Sequence, residues 1–171
     1  MTMRERYQIF EDEGIVFRTY LDSLNYPTGG IGHLLTDEEA VRYPLGAAIP
    51  ITVIDDWFSF DMLEAVESAD RLLQGIEYTP ELHDIITNMA FNLGERGLSR
   101  FKNMWKAIRE GDFIKAAEEM RNSRWYSQVG KRSRRLYDRM LALGGNKNVG
   151  ITDTSNRDSS GESPTRPEGG C

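Results

Sequence analysis

Carboxylates cluster just before a turn-rich segment in the stretch EDEGIVFRTYLDSLNYPTGGIGHLLT, residues 11–36. Hydrolysis of a glycosidic bond needs one carboxylic acid that protonates the leaving oxygen and a second, ionised carboxylate on the other side of the sugar. The two carboxyl groups must occupy different environments, so that one stays protonated while the other does not. The types and spacing of the acids in this stretch are therefore compatible with such a pair.

Glu13 is the first candidate, because Ile9 and Phe10 precede it by four and three residues and place it over the apolar stripe of a short helix. Glu11 and Asp12 point elsewhere on that helix. Asp22 and Thr28 follow in a β-like segment and could face Glu13 from a hairpin. The competing interpretation is a solvated acidic face with ordinary turn residues.

The sequence lacks the motifs that metal-dependent, nucleophilic or dinucleotide-dependent catalysis would need. The two histidines, His33 and His83, are far apart and show no HExxH spacing, and His83 is interpreted as an exposed helix residue. The single cysteine, Cys171, is the last residue, and no GxSxG is present. TGGIGH does not continue into a dinucleotide-binding pattern. We therefore expect neither a metal nor a cofactor.

The helices and strands that would position these acids are predicted from the spacing of apolar residues and from the glycine, proline and capping residues between them. A helix over residues 3–13 ends at Gly14, and the next 21 residues favour a small antiparallel sheet of two or three strands. A capping box at Thr36 opens a helix. A long helix over 52–75 would join two lobes. Further helices are predicted over residues 79–94, around 98–101, and over 102–110, 113–122, 123–128 and 131–143.

These elements give an α+β, mostly helical domain over residues 1–145, followed by a flexible tail over 146–171 that is rich in Ser, Gly, Asp and Pro. The predicted N-terminal lobe covers about residues 14–51 and the connecting helix about 52–75. The C-terminal lobe covers about 76–145 and takes in the N-terminal helix 3–13.

Charge divides the chain. Residues 1–90 hold 5 Lys and Arg against 17 Asp and Glu, a net −12, whereas residues 91–143 hold 13 against 6, a net +7. A basic lobe can hold an anionic polymer such as nucleic acid, teichoic acid or an acidic glycan, or it can simply attract the acidic half. Neither a membrane span nor a secretory h-region is present, which predicts production in a cytoplasm without stable membrane association.

The segment DEG…YLDSLNYPTGGIGHLLT resembles the catalytic segment of the T-even bacteriophage lysozymes, glycoside hydrolase family 24. FSFDMLEAV at 58–66, NMAFNLGERGLSRF at 88–101 and SRWYSQ at 123–128 match in the same order, so the similarity covers nearly all of residues 3–143. The resemblance implies the phage-lysozyme fold, with a small β-hairpin lobe, a long connecting helix and a helical C-terminal lobe.

By the same resemblance, Glu13 is the general acid, Asp22 the carboxylate that positions or deprotonates water, and Thr28 a holder of that water. Leu34 and Phe91 match substrate-contacting positions on the two sides of a cleft, and core packing is the alternative for Phe91.

Supporting roles are also implied by the resemblance. Arg132 falls where the family pairs an arginine with the acid, and a plain surface charge is the alternative. His33 and Asp61 match an ion pair between the hairpin and the long helix, and Asn92 and Trp125 match a contact under the cleft.

The resemblance implies a monomeric, cofactor-free muramidase, an endolysin that inverts configuration at β-1,4 bonds between N-acetylmuramic acid and N-acetylglucosamine. Its partner would be the peptidoglycan glycan strand rather than nucleic acid. It would be made in the host bacterial cytoplasm and would act on the periplasmic wall after release by a holin. A lytic transglycosylase and a non-catalytic wall-binding or virion protein are the alternatives. Pro27, Gly29, Met104 and Glu119 depart from the family pattern, which leaves subsite details open.

Overall fold

The computed structural model describes residues 14–22 and 24–145. The predicted helix 3–13, Glu13 and the predicted tail 146–171 lie outside the described residues. Within them, a three-stranded antiparallel sheet is followed by seven helices, which confirms the predicted α+β, mostly helical class.

The sheet is a meander in the order β1-β2-β3, formed by β1 (Val16–Leu21), β2 (Pro27–Gly30) and β3 (His33–Leu34). Tyr20 pairs with Thr28 in the first hairpin, and Thr28 pairs with Leu34 in the second. Asn25 turns the first hairpin with a φ of 65°, a left-handed conformation that asparagine adopts more readily than most residues. Thr28 therefore lies in the middle strand, between Tyr20 and Leu34.

The helices begin close to where capping residues predict. Their bounds are α1 (Asp37–Arg42), α2 (Ile51–Leu72), α3 (Pro80–Leu98), α4 (Lys102–Arg109), α5 (Phe113–Arg121), α6 (Arg124–Val129) and α7 (Lys131–Gly145). Thr36 caps α1 in a complete capping box, and Thr79 caps α3 with a proline in its first turn. Ser123 caps α6, and its hydroxyl accepts from Tyr126 N–H.

The predicted short helix around residues 98–101 is wrong. Gly94 does not end α3: it takes a φ of 67° and a ψ of 163°, and the chain resumes helical geometry to Leu98. The glycine therefore bends the element, since a residue without Cβ can adopt this conformation inside a helix at low cost. Only a turn separates Leu98 from Lys102.

Two apolar clusters form the core, and α2 contributes to both. The smaller one lies under the sheet and contains Ile31, Ile49, Ile54, Trp57, Phe58 and Met62. The larger one, in the C-terminal lobe, begins at Ala65 on the same helix and extends to Met140. Phe91 packs against both clusters. The long helix therefore joins two lobes that are each packed around their own interior.

Candidate functional site

The tip of the first hairpin holds Asp22 in one orientation. Its Oδ1 accepts hydrogen bonds from the backbone N–H of Leu24 at 2.8 Å and of Tyr26 at 2.9 Å. Its own backbone N–H donates to the Tyr26 carbonyl at 3.0 Å, and its carbonyl accepts from Asn25 N–H at 3.0 Å. Such side-chain-to-backbone bonds are typical of Asx turns. Because Oδ1 carries both bonds, Oδ2 is the oxygen left for another donor among the described contacts.

The Tyr26 backbone, which binds Asp22, also binds Thr28. The Thr28 side chain is buried, and its hydroxyl donates to the carbonyl of Tyr26 at 3.0 Å. A hydroxyl has one proton and two acceptor lone pairs, so Thr28 Oγ1 has its proton committed and can accept a hydrogen bond from a water. Sequence reasoning placed both residues on a hairpin but did not find Tyr26, whose backbone binds both.

Leu34 and Phe91 line one groove of about 460 Å³ between the sheet and the C-terminal lobe. Leu34 is 57% exposed at the end of β3. Phe91 also packs edge-on against Phe58, with ring centroids 5.7 Å apart. The two interpretations of Phe91 are therefore compatible, since one face packs in the core while the residue lines the groove. Asn92 and Asp61 line the same groove.

His33 links three elements at one end of this groove. Its Nδ1 lies 2.9 Å from Asp61 Oδ2 on α2, and its Nε2 lies 3.1 Å from Glu39 Oε2 on α1. Its ring stacks on Trp57 at 4.5 Å. Burial opposes protonation of His33, but the hydrogen bonds and charges of Asp61 and then Glu39 outweigh it and raise its pKa. The sequence predicted Asp61 as the partner and missed Glu39.

Burial also opposes ionisation of Glu39. The hydrogen bonds from the Thr36 backbone, His33 and the Thr36 hydroxyl outweigh burial, so the pKa of Glu39 is lowered. The carboxylate that completes the α1 capping box therefore also holds the histidine. The spacing of Thr36 and Glu39 predicts the capping box, but the contact of Glu39 with His33 depends on the geometry of the hairpin.

Supporting roles are also predicted for Trp125 and Arg132. The indole Nε1 of Trp125 donates to Asn92 Oδ1 at 2.8 Å. Arg132, in the first turn of α7, is only 3% exposed and is thus not a plain surface charge. Its predicted partner Glu13 lies outside the described residues.

His83 is not an exposed helix residue as interpreted from the sequence. Its Nε2 lies 2.9 Å from Asp70 Oδ1, and its side chain is 16% exposed. Tyr78 stacks on its ring at 5.7 Å. These contacts tie the last turns of α2 to α3, away from the groove, so we assign His83 to packing between helices.

A second groove, of about 600 Å³, lies in the C-terminal lobe and shares Leu93 with the first. The cations Arg100, Lys102 and Arg124 line it. Met104 and Glu119, two of the departures from the family pattern, line it as well. Glu119 accepts a hydrogen bond from Asn103 Nδ2 at 3.3 Å. The basic bias of residues 91–143 was the sequence signal for this groove.

Within residues 14–22 and 24–145, no group of three or more His, Cys, Asp or Glu side chains is arranged to hold a metal ion. No helix in the same ranges is long and apolar enough to cross a membrane.

Comparison with known proteins gives consistent matches. The family model described as phage lysozyme matches residues 11–142. The chain is 32% identical over 146 residues to a probable T4-type lysozyme 1 of Dictyostelium discoideum, covering 73% of this chain and 86% of that protein. It is 30% identical over 166 residues to the pre-baseplate central spike protein Gp5 of Enterobacteria phage T4, covering 85% of this chain and only 28% of that protein. It is 28% identical to the peptidoglycan hydrolase gp36 of Pseudomonas phage phiKMV, over 79% of this chain and 15% of that protein.

Proposed function

Because the chain belongs to the phage lysozyme family, we propose that it is a peptidoglycan muramidase. It hydrolyses the β-1,4 bond between N-acetylmuramic acid and N-acetylglucosamine and thereby lyses the bacterial wall. The observation that carries the proposal is that Asp22 and Thr28 both bond to the backbone of Tyr26. Thr28 in turn pairs with Leu34, which lines a groove together with Phe91.

The hairpin can hold an attacking water. One water hydrogen donates to Asp22 Oδ2, since Oδ1 already accepts from two backbone N–H groups. The other donates to Thr28 Oγ1, whose own proton is committed to the Tyr26 carbonyl. Both hydrogens are then held, and a lone pair of the water is left for the anomeric carbon. As the new C–O bond forms, Asp22 takes the water proton.

Glu13 supplies the complementary proton. In this mechanism it protonates the glycosidic oxygen as the C–O bond to the leaving sugar breaks, so the proton gained by Asp22 balances the one lost by Glu13. A water between the second carboxylate and the sugar requires attack on the face opposite the acid, which inverts the configuration. By the resemblance, Arg132, which is buried at the start of α7, would pair with Glu13 and orient it.

The two grooves bind the substrate in this proposal. Leu34 and Phe91 offer apolar surface to the sugar rings from opposite sides of the first groove. The second groove offers Arg100, Lys102 and Arg124 to the anionic wall polymer. Both lobes would close on the glycan about α2. The enzyme works as a monomer without a cofactor on glycan strands, not on nucleic acid.

The test is clearance of chloroform-treated Gram-negative cells by Glu13→Gln and Asp22→Asn. Both substitutions preserve side-chain size, and both should reduce the rate at least about 100-fold while thermal unfolding stays near wild type. Glu11→Gln is the matched control beside the acid and should stay active. Full activity of Glu13→Gln would refute the assignment.

Two rival functions give other results. A lytic transglycosylase, which can work with one glutamate, would release muropeptides with 1,6-anhydro ends, whereas a muramidase leaves reducing ends that mass spectrometry distinguishes. A virion protein is the second candidate, favoured by the similarity to the spike protein Gp5. Binding to purified sacculi without loss of turbidity would support a non-catalytic protein of that kind.

The proposed function includes a cellular route to the wall. An endolysin of this type is made in the host cytoplasm, passes to the periplasm through a holin, and acts there on the wall. Residues 1–145 would form the lysozyme domain and 146–171 its tail. Lysis on co-expression with a holin, and no lysis without one, is the expected result.

A further inference from the structure

The backbone of Tyr26 connects the two hairpin side chains to which the proposed function gives chemical roles. Its N–H donates to Asp22 Oδ1 at 2.9 Å. Its carbonyl accepts from Thr28 Oγ1 and from the Asp22 backbone N–H, each at 3.0 Å. None of these contacts uses the Tyr26 side chain, which is 58% exposed. The Tyr26 backbone therefore helps to place both side chains, together with Leu24 N–H, which also donates to Asp22 Oδ1.

Pro27 follows Tyr26 and restricts this segment. The proline ring fixes its own φ near about −65°. Contact between the ring and the preceding residue disfavours the helical region for that residue and keeps it extended. Tyr26 thus has fewer backbone conformations available than it would before any other residue type.

Pro27 is itself held in the sheet by strand pairing and by a hydrogen bond to its carbonyl. It pairs with Leu21 in the register of β1 and β2, and its carbonyl accepts from Leu35 N–H at 2.9 Å. A proline cannot donate to a ladder, so sheets tolerate it at the first residue of a strand. Pro27 is the first residue of β2, the middle strand. It can therefore restrict Tyr26 without removing a ladder hydrogen bond from the strand interior.

We propose that Pro27 is a positioning residue, which sets the Tyr26 backbone so that Asp22 and Thr28 are in place for the water before substrate arrives. The inference rests on the proposed function of those two side chains. It differs from a purely structural role, because a proline that only stabilises the fold would leave the rate of a folded enzyme unchanged.

The expected signature is a change in kcat alone. Pro27 does not line the groove that holds Leu34 and Phe91, so its replacement should leave KM within about twofold. The rate of attack by a water that Asp22 and Thr28 position falls when either side chain shifts by a fraction of an ångström. We therefore expect kcat to fall about three- to tenfold in Pro27→Ala.

The experiment compares Pro27→Ala with Pro44→Ala in the full chain, using solubilised peptidoglycan at a temperature where both are folded. Pro44 is a proline of the same lobe, and its carbonyl accepts from Ala47 N–H in a turn. This turn bonds to Thr19 of β1 and not to the Tyr26 backbone. Hydrogen exchange of the Tyr26 amide is measured in parallel. Lower kcat, unchanged KM and faster Tyr26 exchange in Pro27→Ala alone are the predicted results.

Equal kcat in Pro27→Ala, Pro44→Ala and wild type would overturn the inference. Pro27→Val, which keeps the extended preference of a strand, is the second variant and decides the matter if Pro27→Ala does not fold: it should lose less kcat than Ala but still fall below wild type. Failure of the proposed function itself looks different, because Asp22→Asn and Thr28→Ala would then retain activity.

Discussion

The side chain of Ile49 occupies the space above Gly29. A Cβ built at Gly29 would lie 2.5 Å from Ile49 Cδ1, 3.4 Å from Trp57 and 3.5 Å from Leu35. The glycine that departs from the family pattern, next to Thr28 in β2, is thus matched by a packed isoleucine from another part of the chain. Its φ does not lie in the left-handed region, so its reason is space rather than conformation.

Gly29→Ala should therefore destabilise the protein by about 1–3 kcal/mol through overpacking of the small cluster. Ile49→Val removes the very Cδ1 that an alanine would meet, so the double variant should recover part of the loss. Urea unfolding of the two single variants and the double variant measures this coupling. Additive losses in the double variant would contradict the packing explanation, and Gly145→Ala, in open space, is the control.

Stability should depend on pH through His33 and Glu39. The pKa of His33 is raised from 6.5, so its contribution is full below pH 6.5 and is lost as pH rises through the folded pKa. The pKa of Glu39 is lowered from 4.5, so its contribution is present above pH 4.5 and is lost as pH falls through the folded pKa. The free energy of unfolding should decline on both sides of the window between these values.

Two variants separate the limbs of that profile. Asp61→Asn removes the charge that raises the His33 pKa, so the decline above pH 6.5 should flatten. Glu39→Gln should flatten the acid limb and also weaken the cap of α1, whose capping box uses the same carboxylate. Thermal unfolding from pH 3 to 9 checks both. An unchanged slope above pH 6.5 in Asp61→Asn would show that His33 does not carry the dependence.

Leu34→Ala should raise KM without changing stability. Leu34 is 57% exposed and lines the groove, so truncation removes substrate contact but little buried core. Loss of about 1 kcal/mol of sugar contact corresponds to roughly a fivefold rise in KM. Leu45→Ala, at a leucine that is 66% exposed and not in the groove lining, is the matched control. Equal KM values in the two variants would remove Leu34 from the binding surface.

Asn92→Ala should destabilise the C-terminal lobe. Trp125 is 5% exposed, and its indole N–H donates to Asn92 Oδ1. Leaving that buried donor unpaired costs about 1–3 kcal/mol. In Trp125→Phe the donor itself is absent, so adding Asn92→Ala to that variant should cost less than adding it to wild type. A double-mutant cycle by urea unfolding measures the difference, and strict additivity would argue against the hydrogen bond.

Local signals in the sequence predicted most of the fold. Four helices begin after a capping residue: Thr36, Thr79, Asp112 and Ser123. A capping bond spans only three residues, so a short stretch of sequence is enough to predict it. Gly94 shows the limit of such signals. A glycine at the end of a periodic run predicts a helix end, but packing of the residues beyond it decides whether the helix resumes.

Tertiary contacts account for the parts of the site that sequence reasoning missed. The pairing of His83 with Asp70 and of His33 with Glu39 depends on how the helices and the hairpin pack together, although His33 and Glu39 are only six residues apart. Residue types and spacing made Asp22 and Thr28 candidates, and the resemblance implied their roles, whereas their common partner is a backbone group of Tyr26. Backbone partners carry no side-chain signature in the sequence, so the folded structure is needed to identify them.

The most direct measurement of the central claim is product analysis after a single turnover in ¹⁸O-labelled water. Mass spectrometry of the muropeptides should find the label at new reducing ends, and NMR should find the α-anomer first, since water attacks opposite the leaving group. Asp22→Asn should lose this product. Unlabelled 1,6-anhydro ends, or a β-anomer formed first, would contradict the account of a water held by Asp22 and Thr28.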